Sequence, residues 1–260
     1  MVGLVRQQGV DSGRDRRQAV PGNSSSGRRA VFSDRIHAGQ QLAGNLQQFT
    51  NDPSVVVLSI SRGGAVVGST VASALGPTTP HFYYVVRGIP SANIPRLSLG
   101  SVAGDGSVRI DTALAKSVDI ETPSGSSWLM QSIEMIDLEV CREQMQFYGG
   151  MPLLSEMLQN KTLVVVDDGI ESGDIMREAI MHLRHCYGES KIVVAVPVCL
   201  ADLRRQLQRH VSLVVDVVSP VFVGSIARWY ATGVVPSVAE QHALDAMFDG
   251  AGADSGFDAE

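Results

Sequence analysis

Two adjacent carboxylates, Asp167 and Asp168, are the residues whose types and spacing most directly indicate chemistry. They follow an apolar run at residues 163–166 and precede a loop of small residues at 169–173. Carboxylates can hold the hydroxyl groups of a sugar, and a glycine-containing loop before a helix can hold a phosphate. The stretch therefore favours a site for a phosphorylated sugar. The alternative is an ordinary strand, turn and helix whose acids cap the helix.

The elements that must position these acids alternate along the chain. Valine-rich runs at residues 55–60, 163–166, 192–197 and 213–218 are separated by stretches with helical spacing, and a further apolar run covers 82–86. Short buried runs between helices predict a mainly parallel sheet with helices on both faces. We therefore expect an α/β fold with three layers.

A second loop with chemical potential follows the run at residues 55–60 and reads SRGG. Gly63 and Gly64 allow the backbone to approach a ligand closely, and Arg62 supplies a fixed positive charge. Arg87 ends the run at residues 82–86 and supplies another. The alternative for Arg62 is a surface cation beside a tight turn.

Together these patterns resemble the type I phosphoribosyltransferases. The stretch KTLVVVDDGIESGDIM resembles the family motif that binds phosphoribosyl diphosphate (PRPP), and FSDRIHAGQQLA resembles the opening helix of a bacterial-type branch. The resemblance covers residues 31–248 and implies a Rossmann-like phosphoribosyltransferase fold. It also implies a hairpin flap, within about residues 88–127, that closes over PRPP. In the opening helix we expect Asp34 and Arg35 to form a structural ion pair.

The resemblance implies a role for each candidate residue. Asp167 and Asp168 would hold the ribose hydroxyls, while Arg62 and Arg87 would steady the pyrophosphate. Glu171 takes the position of an aspartate that serves as general base in purine-salvage relatives. The residues expected to bind substrate are Arg62, Gly63, Gly64, Arg87, Gly169, Ile170, Ser172, Gly173, Asp174, Ile175 and Phe222.

The implied cofactor is Mg²⁺, held mainly by oxygens of PRPP, with Asp167 and Asp168 as the protein groups that can contribute. The implied partner is a nucleobase, and Phe222 would stack on its ring. The alternative is that Phe222, Trp229 and Tyr230 all serve as core or rim packing.

The loop after the acid pair departs from the family pattern. Relatives usually have Thr-Gly-x-Thr, whereas this chain has Ser172, Gly173, Asp174 and Ile175. Ile175 removes a hydroxyl, and Asp174 adds a negative charge beside the expected phosphate. Like charges ~5 Å apart at an effective dielectric of about 20 repel by roughly 3 kcal/mol.

Three functions stay open on this sequence. The first is a phosphoribosyltransferase that transfers 5-phosphoribosyl from PRPP to a nitrogenous base in nucleotide salvage, with release of pyrophosphate. The second is a protein of the same fold that has lost catalysis and serves as a nucleotide sensor or assembly subunit. The third is an unrelated phosphate or dinucleotide enzyme.

Composition limits the partners. The net charge of −6 argues against a nucleic-acid surface, and no apolar run approaches the ~18 residues that cross a bilayer. Cys141, Cys186 and Cys199 lie far apart, as expected of reduced thiols inside a cell.

The two ends of the chain differ from the part between them. Residues 1–30 are rich in arginine and aperiodic, which predicts a disordered or targeting tail, and residues 249–260 predict a frayed acidic tail. We expect a cytoplasmic protein, with a mitochondrial or other organellar location through the first tail as the alternative. The resemblance implies a homodimer, or a larger assembly if catalysis is lost.

Overall fold

The computed structural model describes residues 30–94, 97–118, 123–147, 153 and 155–248. Apart from Ala30, the tails predicted at residues 1–30 and 249–260 lie outside these ranges. Among the described residues, no helix combines the length and apolar character that a bilayer crossing needs.

The strands form two sheets. In chain order they are β1 (Val55–Ser59), β2 (His81–Tyr83), β3 (Val86–Pro90), β4 (Ser98–Ala103), β5 (Val108–Ile110), β6 (Thr162–Val166), β7 (Lys191–Val198) and β8 (Leu213–Val218). The larger sheet has the order β2-β1-β6-β7-β8 and is parallel throughout. Strands β3, β4 and β5 form a small antiparallel sheet, called here the hood sheet.

Helices cover both faces of the larger sheet. In chain order the helices are α1 (Arg35–Gly44), α2 (Arg62–Leu75), α3 (Thr112–Ser117), α4 (Pro123–Met145), α5 (Asp174–Cys186), α6 (Ala201–Leu207) and α7 (Val238–Phe248). Apolar residues of α1 and α2 pack on one face, and those of α5 and α6 pack on the other. Strands β1 and β6 are buried at every position because both faces are covered. The predicted three-layer α/β fold is confirmed.

The run predicted as one strand at residues 82–86 is divided between the two sheets. The Tyr84 N–H still donates to the Ser59 carbonyl at 2.7 Å, in the larger sheet. The Val85 carbonyl instead accepts from the Gly104 N–H at 2.9 Å, beside the hood sheet. The chain therefore changes sheets between Tyr84 and Val85, and Arg87 lies within β3 rather than at a strand end.

The hood sheet contains the predicted hairpin, formed by β4 and β5. Buried polar contacts attach it to α5. His182 of α5 is fully buried and lies 2.9 Å from the Ser101 hydroxyl and 2.7 Å from the Ser107 hydroxyl. Arg109 forms an ion pair with Glu178 of α5 at 3.0 Å. The hood sheet is thereby fixed relative to the helix that begins at the predicted phosphate loop.

Candidate active site

The two predicted loops meet at one edge of the larger sheet. Strands β1 and β6 are neighbours, and Ser59 at the end of β1 pairs with Val166 at the end of β6. The carboxyl ends of parallel strands lie at the same edge. The loop that begins at Ser61 therefore lies beside Asp167 and Asp168.

Asp167 is fixed by donors from both loops. Its Oδ1 accepts hydrogen bonds from the Ser61 hydroxyl and from the Asp168 N–H, the latter at 2.8 Å. The Ser61 oxygen also accepts from the Gly64 N–H at 2.9 Å and so caps α2. Burial, and then the charge of Asp168, raise the pKa of Asp167 well above the ordinary value of an aspartate.

Asp168 is held by a group of three residues, Arg35, Tyr230 and Glu240, called here the Arg35 clamp. Arg35 Nε lies 2.8 Å from Asp168 Oδ2, and the guanidinium carbon lies 4.6 Å from the centroid of the Tyr230 ring. The Tyr230 hydroxyl donates to the Asp168 carbonyl at 2.5 Å. The clamp thus fixes both the side chain and the backbone of Asp168.

Glu240 completes the clamp from α7. Its Oε1 accepts from the Arg35 N–H at 2.9 Å and lies 3.4 Å from Arg35 Nη1, while its Oε2 accepts from the Ser237 N–H at 2.6 Å. Burial alone would raise the pKa of Glu240, but the N–H donors of Ser237 and Arg35 hold it below its ordinary value. Glu240 is therefore a buried carboxylate that neutralises Arg35.

The clamp replaces the ion pair expected between Asp34 and Arg35, and that expectation was wrong. Asp34 instead caps α1 by accepting from the His37 N–H at 2.7 Å. Arg35 was expected to tie its helix to the sheet. It does so through Asp168 and Glu240, which lie 133 and 205 residues away in the sequence.

Gly63 and Gly64 are required by the packing of the loop on the acid pair. A Cβ built on Gly63 would lie 2.3 Å from Asp168 Oδ2, and one on Gly64 would lie 2.9 Å from Asp167 Cα. The glycines were predicted to permit a close approach of a ligand. In the structure they permit a close approach of the two acids.

A cleft of about 610 Å³ lies beside this edge, between the larger sheet and the hood sheet. It carries three arginines with different partners. The Arg62 guanidinium carbon lies 4.3 Å from the centroid of the Phe248 ring, and Arg87 forms an ion pair with Glu143 of α4. The residues that line the cleft are Ile60, Ser61, Arg62, Tyr83, Val86, Arg87, Gly88, Ser98, Glu143, Asp174, Ile175, Arg177 and Glu178.

The predicted phosphate loop leads into α5. Gly173 has φ of +79°, a left-handed conformation that favours glycine, and it caps the helix. Asp174 is 74% exposed and forms an ion pair with Arg177 at 3.2 Å. Ile175 is 53% exposed. The extra negative charge of Asp174 thus has a positively charged partner one turn along the helix.

The predicted base-binding residues lie on exposed loops after β6 and β8. Glu171 is exposed, and Phe222 is 74% exposed, whereas Trp229 and Tyr230 are buried. Trp229 and Tyr230 therefore pack in the core, as the alternative proposed, but packing does not account for Phe222. Phe222 does not line the cleft and lies on the β8 side of the acid pair.

The donor set of the acid pair fits a magnesium ion that brings most of its own ligands. The hydrogen bonds described above use Oδ1 of Asp167 and Oδ2 of Asp168. The other oxygen of each carboxylate takes no part in those bonds. Among the described residues there is no group of three or more His, Cys, Asp or Glu side chains that could hold a metal. Mg²⁺ accepts one or two carboxylates together with substrate phosphates and waters.

Comparison with known proteins agrees with this geometry. The family model described as the phosphoribosyl transferase domain matches residues 33–240. The chain belongs to this family. The match includes both loops, the acid pair and Glu240.

Two relatives come from Mycobacterium tuberculosis, strains H37Rv and CDC 1551, and have the words phosphoribosyl transferase in their names. Each is 29% identical over 201 residues, which cover 77% of this chain and 43% of the relative. The chain thus spans less than half the length of these relatives. The crystal structure of TT1426 from Thermus thermophilus has a TM-score of 0.68 at 24% identity, covering 85% of this chain and 99% of that one. It shows that the fold is shared.

Phosphoribosyl transfer is the general chemistry of this family. Family membership excludes the third of the functions left open by the sequence, an unrelated phosphate or dinucleotide enzyme.

Several residues of the site were not predicted from the sequence. Those residues are Tyr230, Glu240, Arg177 and Glu143. Only Glu240 belongs to a recognisable local pattern, since Ser237 and Glu240 have the spacing of a capping box. That pattern does not indicate that Glu240 contacts Arg35.

Proposed function

We propose that this protein transfers the 5-phosphoribosyl group from PRPP to a nitrogenous base and releases pyrophosphate. The observation that carries the proposal is the meeting of the acid pair with the Arg62 loop, beside a cleft lined by Arg62, Arg87 and Arg177. Ribose hydroxyls require acceptors, and phosphates require cations and N–H donors. Both kinds of group lie at one edge of the sheet.

Each part of PRPP has a place in this proposal. Asp167 and Asp168 accept hydrogen bonds from the ribose 2′- and 3′-hydroxyls. The backbone and hydroxyl groups of residues 169–175 hold the 5′-phosphate at the start of α5. Arg62 and Arg87 steady the pyrophosphate. Mg²⁺, when bound, offsets negative charge on the pyrophosphate and ribose oxygens, with Asp167 and Asp168 as the protein groups that can hold it.

The reaction needs positioning more than covalent chemistry. The bond between C1′ and the pyrophosphate oxygen breaks, and its electron pair leaves with pyrophosphate. A nitrogen of the base gives its own electron pair to C1′ from the opposite face. Positive charge develops on the ribose meanwhile, and the negative charge of Asp168 stabilises it.

The base is expected on the side of the loops after β6 and β8. The exposed Phe222 ring offers a face on which a flat heterocycle can stack. Glu171, on the loop after the acid pair, is the group that accepts a proton from the base. Stacking tolerates many heterocycles, so the class of base must be found by experiment.

A panel of purine and pyrimidine bases, incubated with PRPP and Mg²⁺ and assayed for pyrophosphate, tests the proposal. We expect pyrophosphate release with at least one base. In Asp168→Asn the rate of release should fall by at least about a hundredfold, because that change removes a negative charge that lies beside the reacting ribose. Asp202→Asn, on the exposed end of α6, is the matched control. Absence of thermal stabilisation by millimolar PRPP would contradict the proposal.

Two observations favour the second function, a nucleotide sensor or assembly subunit without catalysis. Asp168 Oδ2 is already bonded to Arg35, and Asp174 and Ile175 occupy positions where relatives carry phosphate-binding groups. This function predicts that PRPP or a nucleotide binds and stabilises the protein while no base supports pyrophosphate release.

The outer face of α4 supports the expected homodimer. Four of its large apolar side chains, Met130, Met135, Leu138 and Met145, are each more than half exposed. Large apolar side chains that stay exposed on one helix are compatible with a protein interface. Sedimentation velocity at micromolar concentration decides between monomer and dimer. The cytoplasmic location and the role in nucleotide salvage stay predictions.

A further inference from the structure

The ion pair between Asp174 and Arg177 lies on the first turn of α5. Arg177 Nη1 is 3.2 Å from Asp174 Oδ1, and the two side chains are 52% and 74% exposed. Both residues line the cleft that also contains Arg62 and Arg87. The pair is therefore at the junction of the phosphate loop and the cleft.

The three arginines of the cleft are held by interactions of different strength. Arg87 is bonded to Glu143, which also accepts from the Tyr83 hydroxyl at 2.6 Å. Arg62 stacks on the Phe248 ring. Arg177 has a solvent-exposed carboxylate, and exposed pairs of this kind contribute little to stability. An incoming anion can displace the partner of Arg177 most easily.

A phosphate group is a better partner for this guanidinium than a solvated carboxylate. It carries up to two charges and can accept two parallel N–H bonds. The side chain of Ile175, on the first turn of α5, offers a phosphate no hydrogen-bond donor. Arg177 lies two residues further along the same helix and supplies a charged donor.

We propose that Arg177 is a phosphate-binding residue of this site, and that Asp174 holds it until a phosphorylated sugar displaces that carboxylate. The proposal rests on the proposed function. The shared ligand chemistry is a phosphate dianion, which can belong to the 5′-phosphate of the sugar or to the pyrophosphate. Asp174 then weakens anion binding by competing for Arg177, and not only by repelling the anion.

Calorimetric titration with ribose 5-phosphate and, separately, with magnesium pyrophosphate tests the proposal and distinguishes the two sources. For the anion that Arg177 binds, we expect Arg177→Ala to weaken binding about tenfold, the effect of losing a hydrogen bond to a charged group. We expect Asp174→Asn to strengthen it by about threefold to fivefold, the upper part of the range of an exposed ion pair. In the Arg177→Ala background, Asp174→Asn should give a smaller gain, because only the repulsion is then relieved.

The chain offers a matched control on α6. Asp202 and Arg205 form an ion pair with the same spacing, and their side chains are 70% and 73% exposed. Neither residue lines the cleft. Asp202→Asn and Arg205→Ala should leave both affinities within twofold of the unmodified protein. All of these side chains are exposed, so each variant should keep its circular dichroism spectrum and melting temperature.

The outcomes separate this inference from the proposed function. If the unmodified protein binds PRPP but Arg177→Ala binds both anions as tightly, only the inference fails. If Asp174→Asn strengthens binding equally with and without Arg177, repulsion alone explains its effect and the competition is refuted. If the unmodified protein binds neither anion nor PRPP, the proposed function fails as well.

Discussion

Replacing Gly63 with alanine tests the contact between the Arg62 loop and the acid pair. A Cβ at this position would lie 2.3 Å from Asp168 Oδ2, 2.7 Å from Asp168 Cγ and 3.1 Å from Arg35 Nε. Non-bonded heavy atoms normally stay about 3.5 Å apart. Asp168 must therefore rotate or the loop must move, and either change breaks the 2.8 Å bond between Asp168 and Arg35.

The magnitude follows from the burial of that bond. The side chains of Asp168 and Arg35 are 17% and 12% exposed, and a hydrogen bond to a charged group contributes about 1.5–3 kcal/mol. Alanine is favoured over glycine in a helix by up to about 1 kcal/mol, which offsets part of the loss. We expect the free energy of unfolding of Gly63→Ala to fall by about 1–2 kcal/mol. Affinity for PRPP should fall by about tenfold or more because Asp168 is displaced.

Urea unfolding followed by circular dichroism measures the first effect, and thermal stabilisation by magnesium and PRPP measures the second. Gly44→Ala is the matched control, because Gly44 is the last residue of α1 and its added Cβ would meet nothing within 4 Å. We expect the control to be as stable as the unmodified protein or more stable, with unchanged PRPP affinity. If the two alanine variants behave alike, the loop does not press on Asp168 and the reasoning is wrong.

Two further predictions concern the buried charges around the acid pair. Glu240→Gln should lower the free energy of unfolding by about 1–3 kcal/mol and weaken PRPP binding, because Arg35 loses a buried counter-charge. Urea unfolding measures the first effect, and the thermal shift with PRPP measures the second. Asp167→Asn should become more stable relative to the unmodified protein as pH rises from 5 to 8. The raised pKa of Asp167 keeps its proton in the folded state at pH values where the unfolded chain, with a pKa near 3.8, has lost it. The carboxyl therefore destabilises the fold increasingly with pH, and urea unfolding at the two pH values measures the difference.

The Glu240→Gln prediction has a control variant, and both predictions have an outcome that would contradict them. Glu139→Gln removes an exposed carboxylate from α4 and should leave stability unchanged. A Glu240→Gln protein as stable as this control would show that Arg35 does not need Glu240. A stability difference between Asp167→Asn and the unmodified protein that is the same at pH 5 and pH 8 would contradict the raised pKa of Asp167.

Local patterns in the sequence were sufficient for most of the fold. The valine-rich runs became β1, β6, β7 and β8, since a buried strand needs only a short apolar segment between helices. The run at residues 82–86 was predicted less well. Its division into β2 and β3 depends on Ser59 and Gly104, which form hydrogen bonds with the backbone of consecutive residues, Tyr84 and Val85.

In the site, too, features formed by consecutive residues could be predicted, whereas contacts between distant residues could not. The acid pair, the Arg62 loop and the start of α5 were visible as motifs, because each consists of consecutive residues whose chemistry can be read directly. The Arg35 clamp was not visible, since its members lie at positions 35, 230 and 240, far from each other and from Asp168, and share no periodicity. The orientation of the Asp174 side chain could not be predicted either, because the residue type does not determine the direction in which the side chain points.

The sequence by itself therefore determined the family resemblance, the layers of the fold and the groups that can hold a ribose and a phosphate. Only the tertiary structure decided how those groups are held. It packs Asp168 against both Gly63 and Arg35, buries Glu240 beside Arg35, and pairs Asp174 with Arg177. The physical reason is that hydrophobic periodicity acts over a few residues, whereas ion pairs and steric contacts depend on where the folded chain returns.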